Sequence, residues 1–181
     1  MAKETKKLSF DEFADELLVE TQPRALIILA SSQIDYLLRS ILEQYLWPKS
    51  AKLKEEDELL DGDRPLGTFS SRIKLAKRVG IIDNELYDLL NKLREIRNIA
   101  AHWIVFGVSD SPLRENVKEL RSRVAGRKSF KLTTNKYFLN EDLSNVESLQ
   151  SVLLTICVIV ASIESVADKL SLRNNKPIVF D

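Results

Sequence analysis

An all-α fold, a single bundle of about six helices, is what the sequence predicts, and three observations predict it. Only five Gly and five Pro stand in 181 residues, too few for the many tight turns of an all-β chain and too few for a disordered one. Apolar residues recur at three- and four-residue spacing through most of the chain. Between those runs stand helix-capping residues in the expected positions. The length suits one domain, burying about 70% of its unfolded surface, and we place its limits at 1–173, with a loose tail over 174–181.

Taken in order, Ser9 with Glu12 three residues on forms a capping box. It opens a short helix to about Glu20 with Phe13, Leu17 and Leu18 inward. Pro23 fits the first turn of a second helix and Pro48 ends it; Ile27, Ile28, Ile34, Leu37, Leu38, Ile41, Leu42 and Tyr45 keep helical register between them. Residues 49–59 are strongly charged, and 60–67 hold the densest group of turn formers. A helix follows from about Thr68 to Val79, with Gly80 set to close it in a left-handed conformation. Asp83 caps the next, which runs to about Trp103 on the stripe Leu86, Leu89, Leu90, Leu93 and Ile96. Ser111-Pro112 opens another and Gly126 closes it.

Residues 127–143 show no helical period, so a short β-hairpin or an irregular loop is expected there around Phe130, Leu132, Tyr137 and Phe138. Ser144 with Glu147 reads as a second capping box, starting a helix of about 28 residues to Leu172. That helix carries 16 consecutive uncharged residues between Glu147 and Glu164. A bilayer span takes about 20 predominantly apolar residues, and this stretch is shorter and includes Gln150, Ser151, Thr155 and Ser162. It reads as a central core helix rather than a membrane span, and apolar character nearly all round suggests contact with a second subunit.

Charge and composition narrow the function. Twenty-seven basic residues balance 27 acidic ones, so no global field draws the chain to nucleic acid or anionic lipid. One cysteine forms no internal disulfide, and one histidine beside it makes a poor zinc site; no metal or cofactor is expected. The polar start, Met-Ala-Lys-Glu-Thr-Lys-Lys, lacks the apolar core of a signal peptide, which predicts a cytoplasmic protein. No Gly-rich phosphate loop, nucleophile elbow or helix-turn-helix is visible.

Three clusters stand out chemically. The sole histidine lies in Arg97-Asn98-Ile99-Ala100-Ala101-His102. An arginine fork on phosphate and an imidazole that trades protons near neutral pH are the two groups a metal-independent RNA transesterification needs. On one helix, however, positions five apart point about 140° away from each other; Arg94, Asn98 and His102 share a stripe instead. The alternative is structural, with Arg97 paired to Glu95 or Asp88 and His102 ending its helix, where the dipole favours a cation.

The second cluster is Asp61-Gly62-Asp63-Arg64-Pro65, followed by Gly67; it lacks the ligand pattern of a calcium loop and reads as a turn needing glycine at position 62 or 67. The third is basic: Arg114, Lys118, Arg121, Arg123, Arg127 and Lys128 dominate residues 110–136, where eight cations meet three acids, while 137–168 hold five acids and no basic residue. These two segments suit each other as charged neighbours, and the basic one with Phe130 and Tyr137 is a candidate nucleic-acid patch.

Two resemblances follow from these residues. Leu59-Leu60-Asp61-Gly62-Asp63-Arg64-Pro65-Leu66-Gly67, then Ser71-Arg72-Ile73-Lys74-Leu75 and Gly80-Ile81-Ile82, resemble the mannitol operon repressor (MltR-like) family over about Leu59–His102. That likeness implies a helical homodimer modulating transcription through a protein partner such as a transcription factor. Arg97-Asn98-x-x-x-His102 is similar to the signature of HEPN domains, which are dimeric helical bundles. This second likeness implies a metal-independent ribonuclease, a toxin or defence component binding RNA, in which Arg97 and His102 are catalytic and Asn98 supports them.

Overall fold

The computed structural model describes residues 9–46, 57–103, 107 and 113–171. Seven helices account for these residues, with no strand among them: α1 Phe10–Leu18, α2 Pro23–Tyr45, α3 Phe69–Arg78, α4 Asn84–His102, α5 Leu113–Val124, α6 Lys128–Tyr137 and α7 Leu149–Ser171. The all-α expectation holds. The anticipated end of α2 at Pro48, the start of α5 at Ser111-Pro112 and the tail 174–181 lie outside the described residues.

The local chemistry of the helix ends follows the sequence closely. Ser9 and Glu12 exchange hydrogen bonds as a capping box, the Ser9 amide donating to Glu12 at 2.8 Å and the Glu12 amide to Ser9 Oγ at 3.2 Å. Pro23 occupies the first turn of α2. Asp83 Oδ1 accepts from the Leu86 amide at 2.8 Å and starts α4. Gly80 sits at φ +74°, and the amides of Gly80 and Ile81 reach back to the carbonyls of Lys77 and Ala76. That double bond is the Schellman pattern, in which a left-handed residue satisfies the carbonyls a helix leaves open.

Two expectations are corrected. Residues 127–143 form neither hairpin nor irregular loop at their centre, because α6 occupies Lys128–Tyr137. Its inward stripe is Phe130, Thr133 and Tyr137, and the buried member in the middle is a threonine, while Leu132 points out at 59% exposure. An apolar pattern with its centre polar and a leucine outside has no helical period to read. Packing onto α7 fixes the segment instead, with Arg121 stacked 4.1 Å over the Phe130 ring and Tyr137 edge-on to Phe10. The second correction concerns α7, which begins at Leu149 and not at Ser144. Ser148 Oγ accepts from the Ser151 amide, and Glu147, the expected box partner, is held by Lys118 at 3.2 Å.

Helices α2 and α7 form the centre. α7 packs against α1, α2, α5 and α6, and α2 also meets α3 and α4, with α4 carrying α3 and α5 on its sides. By length and composition alone both α2 and α7 could cross a bilayer. Here every residue from Ser151 to Val160 is buried by the other helices. The apolar circumference of α7 is thus covered inside one protomer, so this helix gives no reason for a second subunit. Thr155 and Ser162 direct their hydroxyls to carbonyls one turn back, which lets polar side chains sit in that interior. Burial also pushes the Cys157 thiol up to about 12, keeping it protonated and inert at neutral pH.

Candidate functional site

The loop over Asp57–Gly67 is a braced structural turn. Asp57 Oδ1 accepts from the amides of Leu59 and Leu60, and Asp61 Oδ2 accepts from the Asp57 amide at 2.6 Å. Asp61 also holds Arg39 of α2 at 2.6 Å. Gly62 takes φ +50°, while Gly67 is needed for space: a Cβ there would lie 1.9 Å from the Gly62 carbonyl oxygen. Of the two glycines weighed for a left-handed turn, Gly62 provides it and Gly67 provides the close approach. Asp63 and Pro65 stand exposed at the tip.

Arg72 locks this loop to the bundle, and sequence reasoning gave it no role. Its guanidinium is buried, with Nη1 on Asp35 Oδ1 at 2.6 Å and Nη2 donating to the carbonyls of Leu60 and Gly67 at 2.8 and 3.0 Å. One side chain therefore ties α3 to α2 and to both ends of the loop. The signal was present: Phe69, Arg72, Ile73 and Ala76 share one helical face, so a cation stands on an apolar stripe.

Beside this brace opens a cleft of about 520 Å³. Three elements form its walls: Ser31, Ser32 and Asp35 from α2; the first turn of α3 with Gly67 and Thr68; and Arg94, Arg97 and Asn98 from α4. Arg97 and Asn98 stand three and four residues after Arg94, so each neighbours Arg94 on the surface of α4, and all three line the cleft. Arg97 donates to Asn98 Oδ1 at 3.3 Å, and not to Glu95 or Asp88. Those carboxylates are engaged elsewhere, Glu95 with Lys92 at 3.5 Å and Asp88 with Arg123 at 3.6 Å.

His102 is not among the residues lining this cleft. It is exposed at the last position of α4, next to Trp103, whose carbonyl accepts from Arg24 Nη2 at 2.7 Å. The structure thus brings Arg97 and Asn98 together with Arg94 and leaves His102 at the helix end. Arg94 was placed on the Asn98 stripe by spacing alone; the walls from α2 and α3 were not foreseen.

The basic segment is largely neutralised within the fold. Lys118 meets Glu147 at 3.2 Å, with Arg114 at 4.0 Å from the same carboxylate. Arg123 meets Glu119 at 2.8 Å, and Arg127 meets Glu85 at 3.0 Å. Lys92 also reaches Glu119, at 3.1 Å; that hydrogen bond holds the Glu119 carboxyl below its usual range and the Lys92 ammonium above its own. Arg121 donates to Ser151 Oγ at 3.1 Å, and burial lowers its guanidinium's affinity for the proton. Lys128 contributes instead to a second cavity, about 750 Å³, between the turn 80–83, the start of α6 and the C-terminal half of α7.

No family model and no curated protein matches the chain. Solved structures do. One is a possible transcriptional regulator, YggD, from Shigella flexneri, with a TM-score of 0.65 at 15% identity over 87% of this chain and 99% of that one. Another is the MtlR–HPr complex from Escherichia coli, with a TM-score of 0.57 at 20% identity over 90% of this chain and 98% of the matched one. At these identities the likeness is one of fold, and it extends over nearly the whole of both chains: this protein has an MtlR-like fold.

Proposed function

We propose that the chain is a cytoplasmic regulatory protein of the mannitol-repressor type, a homodimer that modulates transcription through a protein partner. The observation that carries this reading is the end-to-end match, at 98–99% of the neighbours' length, to a possible transcriptional regulator and to a protein solved in complex with HPr. The loop over Asp61–Gly67 supports it on separate grounds, because its residues resemble those of the MltR-like family. The charge pattern agrees: among the described residues Lys118 and Arg123 of α5 and Arg127 after it each meet a carboxylate, which weakens this segment as a grip on DNA.

Binding of purified HPr by calorimetry tests the partner, and sedimentation at micromolar concentration tests the dimer. We expect a stoichiometric complex with HPr or with a co-purifying transcription factor, and no DNA retention by the protein alone. Autonomous, sequence-specific DNA binding would overturn the reading. So would cleavage of RNA to 2′,3′-cyclic phosphate ends that His102→Ala abolishes, which would restore the ribonuclease assignment of Arg97, Asn98 and His102.

A further inference from the structure

We propose that the cleft between α2, the N-terminus of α3 and α4 is a binding site for a small organic phosphomonoester, gripped by Arg94, Arg97 and the first turn of α3. The argument begins with charge. Among the described residues, Arg39, Arg72, Arg114 and Arg123 on α2, α3 and α5 meet carboxylates, while Arg121 is held by Ser151 and stacks on Phe130. Among those residues Arg94 and Arg97 have no carboxylate partner, and the buried Nε of Arg94, like those of Arg72 and Arg127, has no hydrogen-bond partner there. The cleft's single carboxylate, Asp35, is already neutralised by Arg72. Two permanent cations thus share a concave site in which the described residues supply no counter-charge of their own.

The opposite wall adds directional donors. The Thr68 hydroxyl accepts from the Ser71 amide at 3.1 Å and donates to Ser71 Oγ at 3.0 Å, so this cap is spent within residues 68–71. The amides of Phe69 and Ser70, in the first turn, have no intrahelical acceptor and stand at the positive end of the α3 dipole. Donors on two facing walls suit a tetrahedral anion with three terminal oxygens better than a planar carboxylate, which one fork satisfies. The remaining wall suits the body of the ligand. Ser31 and Ser32 already donate their protons to the carbonyls of Ile27 and Ile28. Their free capacity is as acceptors, and hydroxyl groups on a ligand are the matching donors. A volume of about 520 Å³ fits a small molecule.

Isothermal titration with glycerol 3-phosphate, inorganic phosphate and glycerol tests the site on the full chain. We expect glycerol 3-phosphate to bind more tightly than inorganic phosphate, glycerol not to bind, and affinity to fall as salt rises. Arg97→Gln is an exposed substitution that leaves folding intact, and it should weaken glycerol 3-phosphate at least tenfold; Arg94→Gln should do the same with the circular dichroism spectrum unchanged. Lys118→Gln, a cation outside the cleft, should leave affinity as it was. No binding of any phosphate at millimolar concentration, or wild-type affinity in Arg97→Gln, would overturn the proposal. Binding of an RNA oligonucleotide or phosphopeptide that depends on Arg97 while glycerol 3-phosphate fails would overturn it too. The partner experiment above reads binding of a protein and not of a small phosphate, so it can fail or succeed separately.

Discussion

The α5 surface and the α2–α3–α4 cleft both concentrate cations, yet they differ in what the cations face. On α5, Lys118 and Arg123 lie within 3.2 Å of carboxylates from neighbouring elements or the same helix. In the cleft, Arg94 and Arg97 line a concave wall whose one carboxylate belongs to Arg72. A count of charges along the sequence favours α5 as the binding surface; the spatial pairing favours the cleft. Cations indicate a ligand site where the fold has left them without partners, and density along the chain is a poor guide to that.

The largest expected effect concerns the brace that shapes the cleft. Arg72→Met keeps the aliphatic stem but strips donors from the buried carbonyls of Leu60 and Gly67 and leaves Asp35 unpaired. It should cost about 3 kcal/mol of stability, read as a lower denaturation midpoint at unchanged m-value. A loss under about 1 kcal/mol would mean that the loop does not depend on this side chain.

Lys118→Gln removes the pair between α5 and Glu147 in the segment leading into α7, where the two side chains are 42% and 21% exposed. Screening by solvent limits the loss to about 0.5 kcal/mol. Arg97→Gln should change stability by no more than about 0.5 kcal/mol in either direction, since Arg97 is exposed and bonds only to its neighbour Asn98. These two variants sharpen the contrast: the α5 cation contributes to the fold, and the cleft cation contributes to binding. Equal and large destabilisation by both would erase the distinction.

The smallest effect lies at the α1–α6 contact, a third type of cationic site. Asp11 accepts hydrogen bonds from Lys136 at 2.6 Å and from the Tyr137 hydroxyl. Lys136 first, then Tyr137, lowers the Asp11 carboxyl from its ordinary value of 3.8. A native pKa below the unfolded one stabilises the fold fully above the unfolded value and loses that contribution as pH falls through the native one. Wild type should therefore be more acid-sensitive than Asp11→Asn below about pH 4, the two melting curves converging as pH drops. Parallel curves down to pH 2 would remove the ion pair from the account.

Legibility followed the range of the interactions. The caps at Ser9, Asp83 and Gly80 and the stripes of α2 and α4 were readable because each depends on residues within a turn or two. α6 was not, since Thr133 sits where its apolar stripe should be and the helix is held by Phe10, Arg121 and α7 from elsewhere in the chain. The start of α7 was misread because Glu147, a suitable capping partner by spacing, is engaged by Lys118. For the site, the Arg97–Asn98 neighbourhood was visible as a motif, and helical geometry already set His102 apart from Arg97. The cleft was invisible, because its other two walls lie more than twenty residues upstream on α2 and α3.

Helical class, the caps at Ser9, Asp83 and Gly80 and the placement of Arg94 and Asn98 on one stripe are properties of the sequence by itself, fixed by 3.6-residue periodicity and short-range hydrogen bonds. The tertiary structure alone decided which cations keep a free charge. Pairing depends on distances of a few ångströms between residues far apart along the chain, and only the packing of α2, α3 and α4 sets those distances.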